Sequence, residues 1–180
     1  MLITPEYRAL NERLHNDNPF YGGKPDNRRI RAAISLIDGI KAKTILDYGC
    51  GKGTVHEMCE EFLSAAYWQP KWTDYDPCVP QFSSRPEPAE AVLCMDVLEH
   101  IEPECLDDVF KDIRHLARVQ VLFTGCCIPA KKTLSDGRNA HLIQQPSGWW
   151  LKRITDHFAV LQFVSSDDGA FFQMIGRSMP

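Results

Sequence analysis

No apolar run in this 180-residue sequence approaches the ~20 residues that span a bilayer. The first residues, Met1-Leu2-Ile3-Thr4-Pro5, lack the charged start and apolar core of a signal peptide. No membrane association is expected. No Cys-x-x-Cys pair occurs among the seven cysteines, Cys50, Cys59, Cys78, Cys94, Cys105, Cys126 and Cys127. The odd count and the missing pair fit reduced cysteines. Several of these residues lie in apolar runs, where a reduced cysteine packs as a small hydrophobe. The adjacent Cys126-Cys127 reads as a strand end, and a reducing cytoplasm is the expected setting. Positive charge is also lacking: the net charge is −4 and the pI about 5.8. Nothing general therefore favours nucleic acid. The basic clusters Lys24, Arg28, Arg29, Arg31 and Lys131, Lys132, Arg138 read as solvated faces. There is no internal repeat and no low-complexity tract. A hydrophobic share of 44% and a charged share of 24% describe one ordinary globular domain with a core.

What the chain does have is concentrated in Ile45-Leu46-Asp47-Tyr48-Gly49-Cys50-Gly51-Lys52-Gly53. A short apolar run meets an acid, three glycines follow at alternate positions, and a helical pattern starts near Thr54. Strand, glycine turn and helix let a backbone press against a nucleotide-like ligand. A Cβ would block that approach or forbid the turn's dihedrals. The dinucleotide fingerprint needs its third glycine three residues after the second; here it comes after two. Asp47, two residues before the first glycine, would repel a pyrophosphate. A cationic or zwitterionic ligand tolerates it better, and S-adenosylmethionine carries an ammonium, a carboxylate and a sulfonium but no phosphate.

Along the chain, residues 4–16 carry Tyr7, Leu10 and Leu14 at helical spacing. A loop rich in Asn, Pro and Gly follows. Asp26 or Asn27 caps a second helix with Ile30, Ala33, Ile34 and Ile37 as its stripe. Strands are expected at Thr44–Tyr48, 67–75 (interrupted by Pro70), 91–95, 119–124, 159–164 and 170–175. Helices are expected at 54–62, at 103–117 with Pro103 as first residue, and at 147–157. The turn Ser165-Ser166-Asp167-Asp168-Gly169 separates the last two strands. Alternating strands and helices imply an α/β fold, a mostly parallel sheet covered on both faces, with one antiparallel strand near the end.

The glycine segment resembles the first motif of the class I S-adenosylmethionine-dependent methyltransferases. So does Cys94-Met95-Asp96-Val97-Leu98-Glu99-His100-Ile101, which is similar to the Asp-Val-Leu-Glu-His-Ile motif of the small-molecule members. The resemblance covers residues ~44–176. It implies a Rossmann-like sheet of seven strands, or six with the third reduced, because Pro80, Pro86 and Pro88 leave little room after the second strand. It also implies residues 1–43 as an N-terminal helical extension or lid on a cofactor-binding unit at 44–180. The cofactor would lie on Asp47, Tyr48, Gly49, Cys50, Gly51, Gly53, Met95 and Asp96. An acid at the end of the second strand would grip both ribose hydroxyls. Asp76 is preferred over Asp74, two positions earlier on the same expected face, because Pro77 would end the strand.

The resemblance places Glu99 and His100 on the acceptor side, with Asp96 beside them. In Asp136-Gly137-Arg138-Asn139-Ala140-His141 it offers more of the acceptor pocket. A histidine such as His141 suits the deprotonation of a hydroxyl or amine. Arg138 suits a carboxylate or phosphate, Asn139 lies beside it, and Tyr21 with residues 22–24 forms a plausible cover. Of Trp149 and Trp150, one walls the site and the other packs the helix. No Asn/Asp-Pro-Pro-aromatic sequence and no correctly placed Pro-Cys is present, which excludes the base-amine and cytosine-C5 chemistries. The expected function is methyl transfer from S-adenosylmethionine to O or N of a small molecule such as a sugar, nucleotide derivative or metabolite, with no metal required. Two alternatives remain open. Asp96, Glu99, His100 and His141 are similar to the metal-binding set of small-RNA ribose 2′-O-methyltransferases. The compressed stretch 77–90 instead suits an idle cofactor-binding interaction module.

Overall fold

A computed structural model describes residues 1–18, 21 and 25–179. Gly22, Gly23 and Lys24, expected as part of the cover, lie outside the described residues. Two helices open the chain, α1 (Pro5–Asp17) and α2 (Asn27–Ile40). Each starts where a side chain takes an orphan amide: Thr4 Oγ1 accepts from Tyr7 N–H, and Asp26 accepts from Arg28 and Arg29 N–H. Then come β1 (Thr44–Tyr48), α3 (Thr54–Ala65), β2 (Lys71–Tyr75), β3 (Ala89–Met95), α4 (Leu106–Leu116), β4 (Ala117–Cys126), α5 (Ser147–Thr155), β5 (Phe158–Ser165) and β6 (Phe171–Ser178).

The sheet order is β2-β1-β3-β4-β6-β5. The first four strands run parallel, and β6 is antiparallel to both β4 and β5. This is the expected α/β, Rossmann-like arrangement in its six-stranded form. Where a third strand would follow β2, the described chain makes only the 3-10 turn Pro80–Phe82. Prolines there remove ladder donors and fix the turn's dihedrals.

Side-chain alternation splits the core in two. Ala91, Leu93 and Leu122 meet α2 and α3 through Ile30, Ile37, Val55 and Cys59. Val92, Val121, Phe123 and Met174 meet α4 and α5 through Phe110, Ile113, Trp150 and Ile154. Trp150 is fully buried and stacks on Phe172 at 5.5 Å between ring centroids. It is therefore the tryptophan that packs the helix; Trp149 is half-buried beside it.

Three expectations need correction. Pro103 does not begin α4: residues 103–105 form a turn and the helix starts at Leu106. The second strand is shorter than expected, because residues before Lys71 belong to a turn carrying Gln69 at φ +46°. Asp74 and Asp76 do not share a face, because β2 ends at Tyr75 and strand alternation no longer governs Asp76.

Candidate active site

The C-terminal ends of β1, β3 and β4 open onto a cavity of about 500 Å³, in the range of small-molecule sites. Ligands of open α/β sheets bind at this edge. The glycine loop forms one wall. Gly49 has φ +80°, and a Cβ there would lie 2.5 Å from Val97 Cγ2. A second loop, after β3, is therefore packed against the first with no room for a side chain. Gly49 and Cys50 N–H both donate to the Tyr75 carbonyl, at 2.7 and 3.1 Å, tying the loop to the end of β2. Gly53, φ +75°, caps α3 near Asp74 and does not line the cavity.

Asp76 lines the cavity and Asp74 does not. One Asp76 carboxyl oxygen accepts from Gly51 N–H (3.0 Å) and the other from Cys78 N–H (2.8 Å). Burial raises its pKa, opposed by those two donors and by nearby His15. Asp74 is taken up instead by the Trp72 indole N–H at 2.8 Å and by His56 at 3.5 Å.

Asp47 also lines the cavity, is fully buried, and has one carboxyl oxygen with no partner among the described residues. Burial, then the charges of Asp74 and Asp76, push its pKa well above the usual carboxylate range. A carboxyl whose pKa is raised by folding favours the folded state while it is protonated. That advantage is lost as pH rises from the unfolded value of about 3.9. Asp47→Asn is therefore expected to flatten the fall of Tm between pH 4 and pH 8 and to leave the unliganded protein no less stable at neutral pH. Thermal melts across that range would read it.

Tyr48 lines the cavity, but its hydroxyl donates to Asp112 Oδ2 (2.9 Å). Met95 and Asp96 sit at the end of β3. Asp96 takes φ +56° and is held from three sides. Its N–H donates to the Thr124 carbonyl (3.0 Å), one carboxyl oxygen accepts from Thr124 Oγ1 (3.1 Å), and the other pairs with Arg29 Nε (3.0 Å). Arg29, on α2, had read as part of a solvated cluster.

His100 and His141 face each other edge to face, 4.8 Å between ring centroids. His100 Nδ1 lies 2.8 Å from the Ala140 carbonyl and His141 Nδ1 lies 2.6 Å from the Ile128 carbonyl. A carbonyl only accepts, so both Nδ1 atoms carry protons and both Nε2 lone pairs remain available. Burial lowers the His100 pKa to about 4, which keeps that ring neutral. Glu99 is buried beneath them. One of its oxygens accepts from Cys126 N–H (2.8 Å) and the other has no partner among the described residues. Burial and the Asp96 charge raise its pKa to about 8. Each of Glu99, His100 and His141 offers a ligand atom within 4.8 Å of the other two.

Three expected acceptor residues lie outside the cavity lining: Glu99, buried beneath the two histidines, and Arg138 and Asn139. Arg138 pairs with Asp136 and stands over the Tyr7 ring at 5.3 Å, outside the cavity lining. Asn139 spans its own loop: it accepts from Ala130 and His141 N–H (both 2.9 Å) and donates to the Ala130 carbonyl (2.8 Å). It orients His141 rather than lining the cavity. Tyr21 does line the cavity, with Tyr7, Asn11 and His15 of α1, none of which the sequence had marked. Tyr7 donates to the His100 carbonyl (2.7 Å) and Tyr21 to Asn11 Oδ1 (2.8 Å). Their signal was present only as a helical stripe that also fits plain core packing.

No protein-family model and no curated protein matches the sequence. Solved structures do match its fold. An O-methyltransferase family protein from Burkholderia thailandensis superposes with a TM-score of 0.61 at 15% identity. The match covers 83% of this chain, which spans 55% of that one. From the same organism, 1,6-didemethyltoxoflavin-N1-methyltransferase with bound 1,6-didemethyltoxoflavin and S-adenosylhomocysteine gives a TM-score of 0.63 at 16% identity, over 100% of this chain and 92% of that one. The small RNA methyltransferase HEN1 gives 0.60 at 14%, over 85% of this chain and 25% of its own length. At these identities the likeness lies in the fold: the chain has the α/β, Rossmann-like fold of methyltransferases.

Proposed function

We propose that this protein is an S-adenosylmethionine-dependent methyltransferase acting on a hydroxyl or amine of a small molecule. The observation that carries the reading is the cradle of Gly49, Cys50 and Gly51, pinned by Asp76 at the mouth of the cavity and backed by a buried, orphaned Asp47 oxygen. A glycine wall without phosphate-binding spacing, lined by carboxyls, suits a sulfonium zwitterion and repels a pyrophosphate. The residues present fit the cofactor: Asp76 for the ribose hydroxyls, the glycine loop for the main body, and Asp96, held in place by Arg29, for the ammonium of the amino-acid end. When bound, S-adenosylmethionine supplies an electrophilic methyl on a good leaving group. The protein's part is then alignment and water exclusion. Residues 1–43 contribute the cover through α1 and Tyr21, and 44–180 carry the cofactor unit. His141 Nε2 accepts the acceptor's proton while the Ile128 carbonyl holds the ring and Asn139 holds the His141 main chain. His100, kept neutral, accepts a hydrogen bond from the acceptor.

Titrating S-adenosylmethionine into the protein by calorimetry, beside NAD, tests this directly. Binding of the first and none of the second is expected. No binding of either would remove the reading, and binding without turnover on any acceptor would favour the idle module.

The Glu99, His100 and His141 cluster favours a second reading, metal-assisted transfer to a hydroxyl, with RNA ribose as the alternative acceptor. Fixing Nδ1 of each histidine on a main-chain carbonyl is how ligating imidazoles are oriented. An imidazole pair with a carboxylate suits a divalent transition ion. That ion would supply positive charge beside the acceptor oxygen. The net charge of −4 speaks for a small acceptor over RNA.

A further inference from the structure

The stretch that should have built a third strand contributes only Asp76, Pro77 and Cys78 to the cavity wall. Beyond them the chain turns back at Pro80–Phe82, and the Phe82 carbonyl accepts from Asp76 N–H at 3.1 Å. Leu2 and Ile3, near the N-terminus, line the same cavity. Leu2 packs against the same core face as Val97 and Ile101, and both of those also line the cavity.

This stretch is fixed. Glu102 holds Thr4 twice: one oxygen accepts from Thr4 N–H (2.9 Å) and the other from Thr4 Oγ1 (2.7 Å). Glu102 is buried and lies outside the cavity lining. Three residues on, Tyr7 donates to the His100 carbonyl (2.7 Å). Both anchors grip residues 100–102, the loop that follows β3. A two-point carboxylate grip is strong for its size, and it fixes the segment that carries Leu2 and Ile3, which line the cavity together with Val97 and Ile101.

We infer that Leu2 and Ile3 form one wall of an aromatic-base slot, standing in for the missing strand, and that this slot takes the adenine of the cofactor. The inference rests on the cofactor reading above and extends it. With the ribose on Asp76 and the amino-acid end toward Asp96, the base extends past Pro77 and Cys78. The groups that meet it there are apolar side chains, suited to a planar heterocycle whose faces shed water on stacking.

The test uses the full chain and two probes, S-adenosylhomocysteine and adenosine, titrated by calorimetry. Leu2→Asp places a carboxylate against the base. Glu102→Ala releases the wall without touching the lining. Each is expected to weaken both probes by tenfold or more. Far-UV circular dichroism confirms that Leu2→Asp is folded; that half-buried position decides the matter if Glu102→Ala does not fold. Leu2→Asp binding both probes within twofold of wild type would overturn the slot and leave the cofactor reading standing. Wild-type protein that binds neither probe would overturn the cofactor reading and the slot together.

Discussion

Asp76→Ala is expected to weaken S-adenosylmethionine by about 2 kcal/mol or more, roughly thirtyfold in Kd. Two losses add. The proposed ribose grip disappears, and so does the clamp that holds the glycine loop in shape. At present Asp76 ties Gly51 of that loop, 25 residues before it, to Cys78 of the next crossover, through both of its oxygens. Without the carboxylate, two buried N–H groups lose their acceptor, which costs about 1–3 kcal/mol each where water cannot replace it. A lower melting temperature should therefore accompany the loss of affinity. Asp76→Asn separates the two effects. Its amide oxygen still accepts from one main-chain N–H, so stability should recover partly while the charge-assisted grip on the hydroxyls does not return. Calorimetry and a thermal melt on the two variants read both. Unchanged affinity in Asp76→Ala would move the ribose elsewhere, and Asp74→Ala would be the next variant to measure.

The choice between Asp76 and Asp74 shows what the sequence made legible. Pro77 marked the strand end, and that one residue correctly separated the cavity side chain from the one taken up by Trp72 and His56. The glycine loop was legible because its requirement is local: positive φ and a close approach leave only glycine. The missing strand was legible from Pro80, Pro86 and Pro88 for the same reason. The side chains that α1 turns to the cavity were not legible. Tyr7 and Asn11 sit on α1 at spacings that any amphipathic helix shows, and what sets Tyr7 apart is a carbonyl 93 residues away. Arg29 read as a solvated charge because its partner, Asp96, comes from another element. Arg138 and Asn139 failed differently. Their types suited an acceptor, but a turn bonded to itself through Asp136 and Ala130 uses those groups locally before any ligand can. Pro103 is tolerated equally in a turn and at a helix start, so its residue type could not decide between them.

His141→Ala should reduce turnover by about 10²–10⁴-fold, the usual span for a positioned acid–base group, with the S-adenosylmethionine Kd unchanged. The imidazole is held by the Ile128 carbonyl on Nδ1, and the His141 main chain is held by Asn139 Oδ1 on its N–H. Removing it leaves the cofactor wall of Gly49, Gly51 and Asp76 untouched. The two readings of the site part company at the next step. If His141 acts as a base, turnover in the wild type resists a chelator, and Glu99→Gln, which preserves the hydrogen bond from Cys126 N–H, loses little. If the cluster holds a cation, a chelator stops the wild type, a divalent ion restores it, and Glu99→Gln falls nearly as far as His141→Ala. Glu99 decides because its second oxygen has no protein partner among the described residues. A neutral carboxyl can sit unpaired beneath two imidazoles only at a desolvation cost, whereas a cation would give that oxygen its partner. Proton release on adding Mn²⁺ at pH 7 would follow, since Glu99, with a pKa raised to about 8, must ionise to bind it. Silence in that titration, with turnover intact, leaves general-base transfer to a small acceptor as the mechanism.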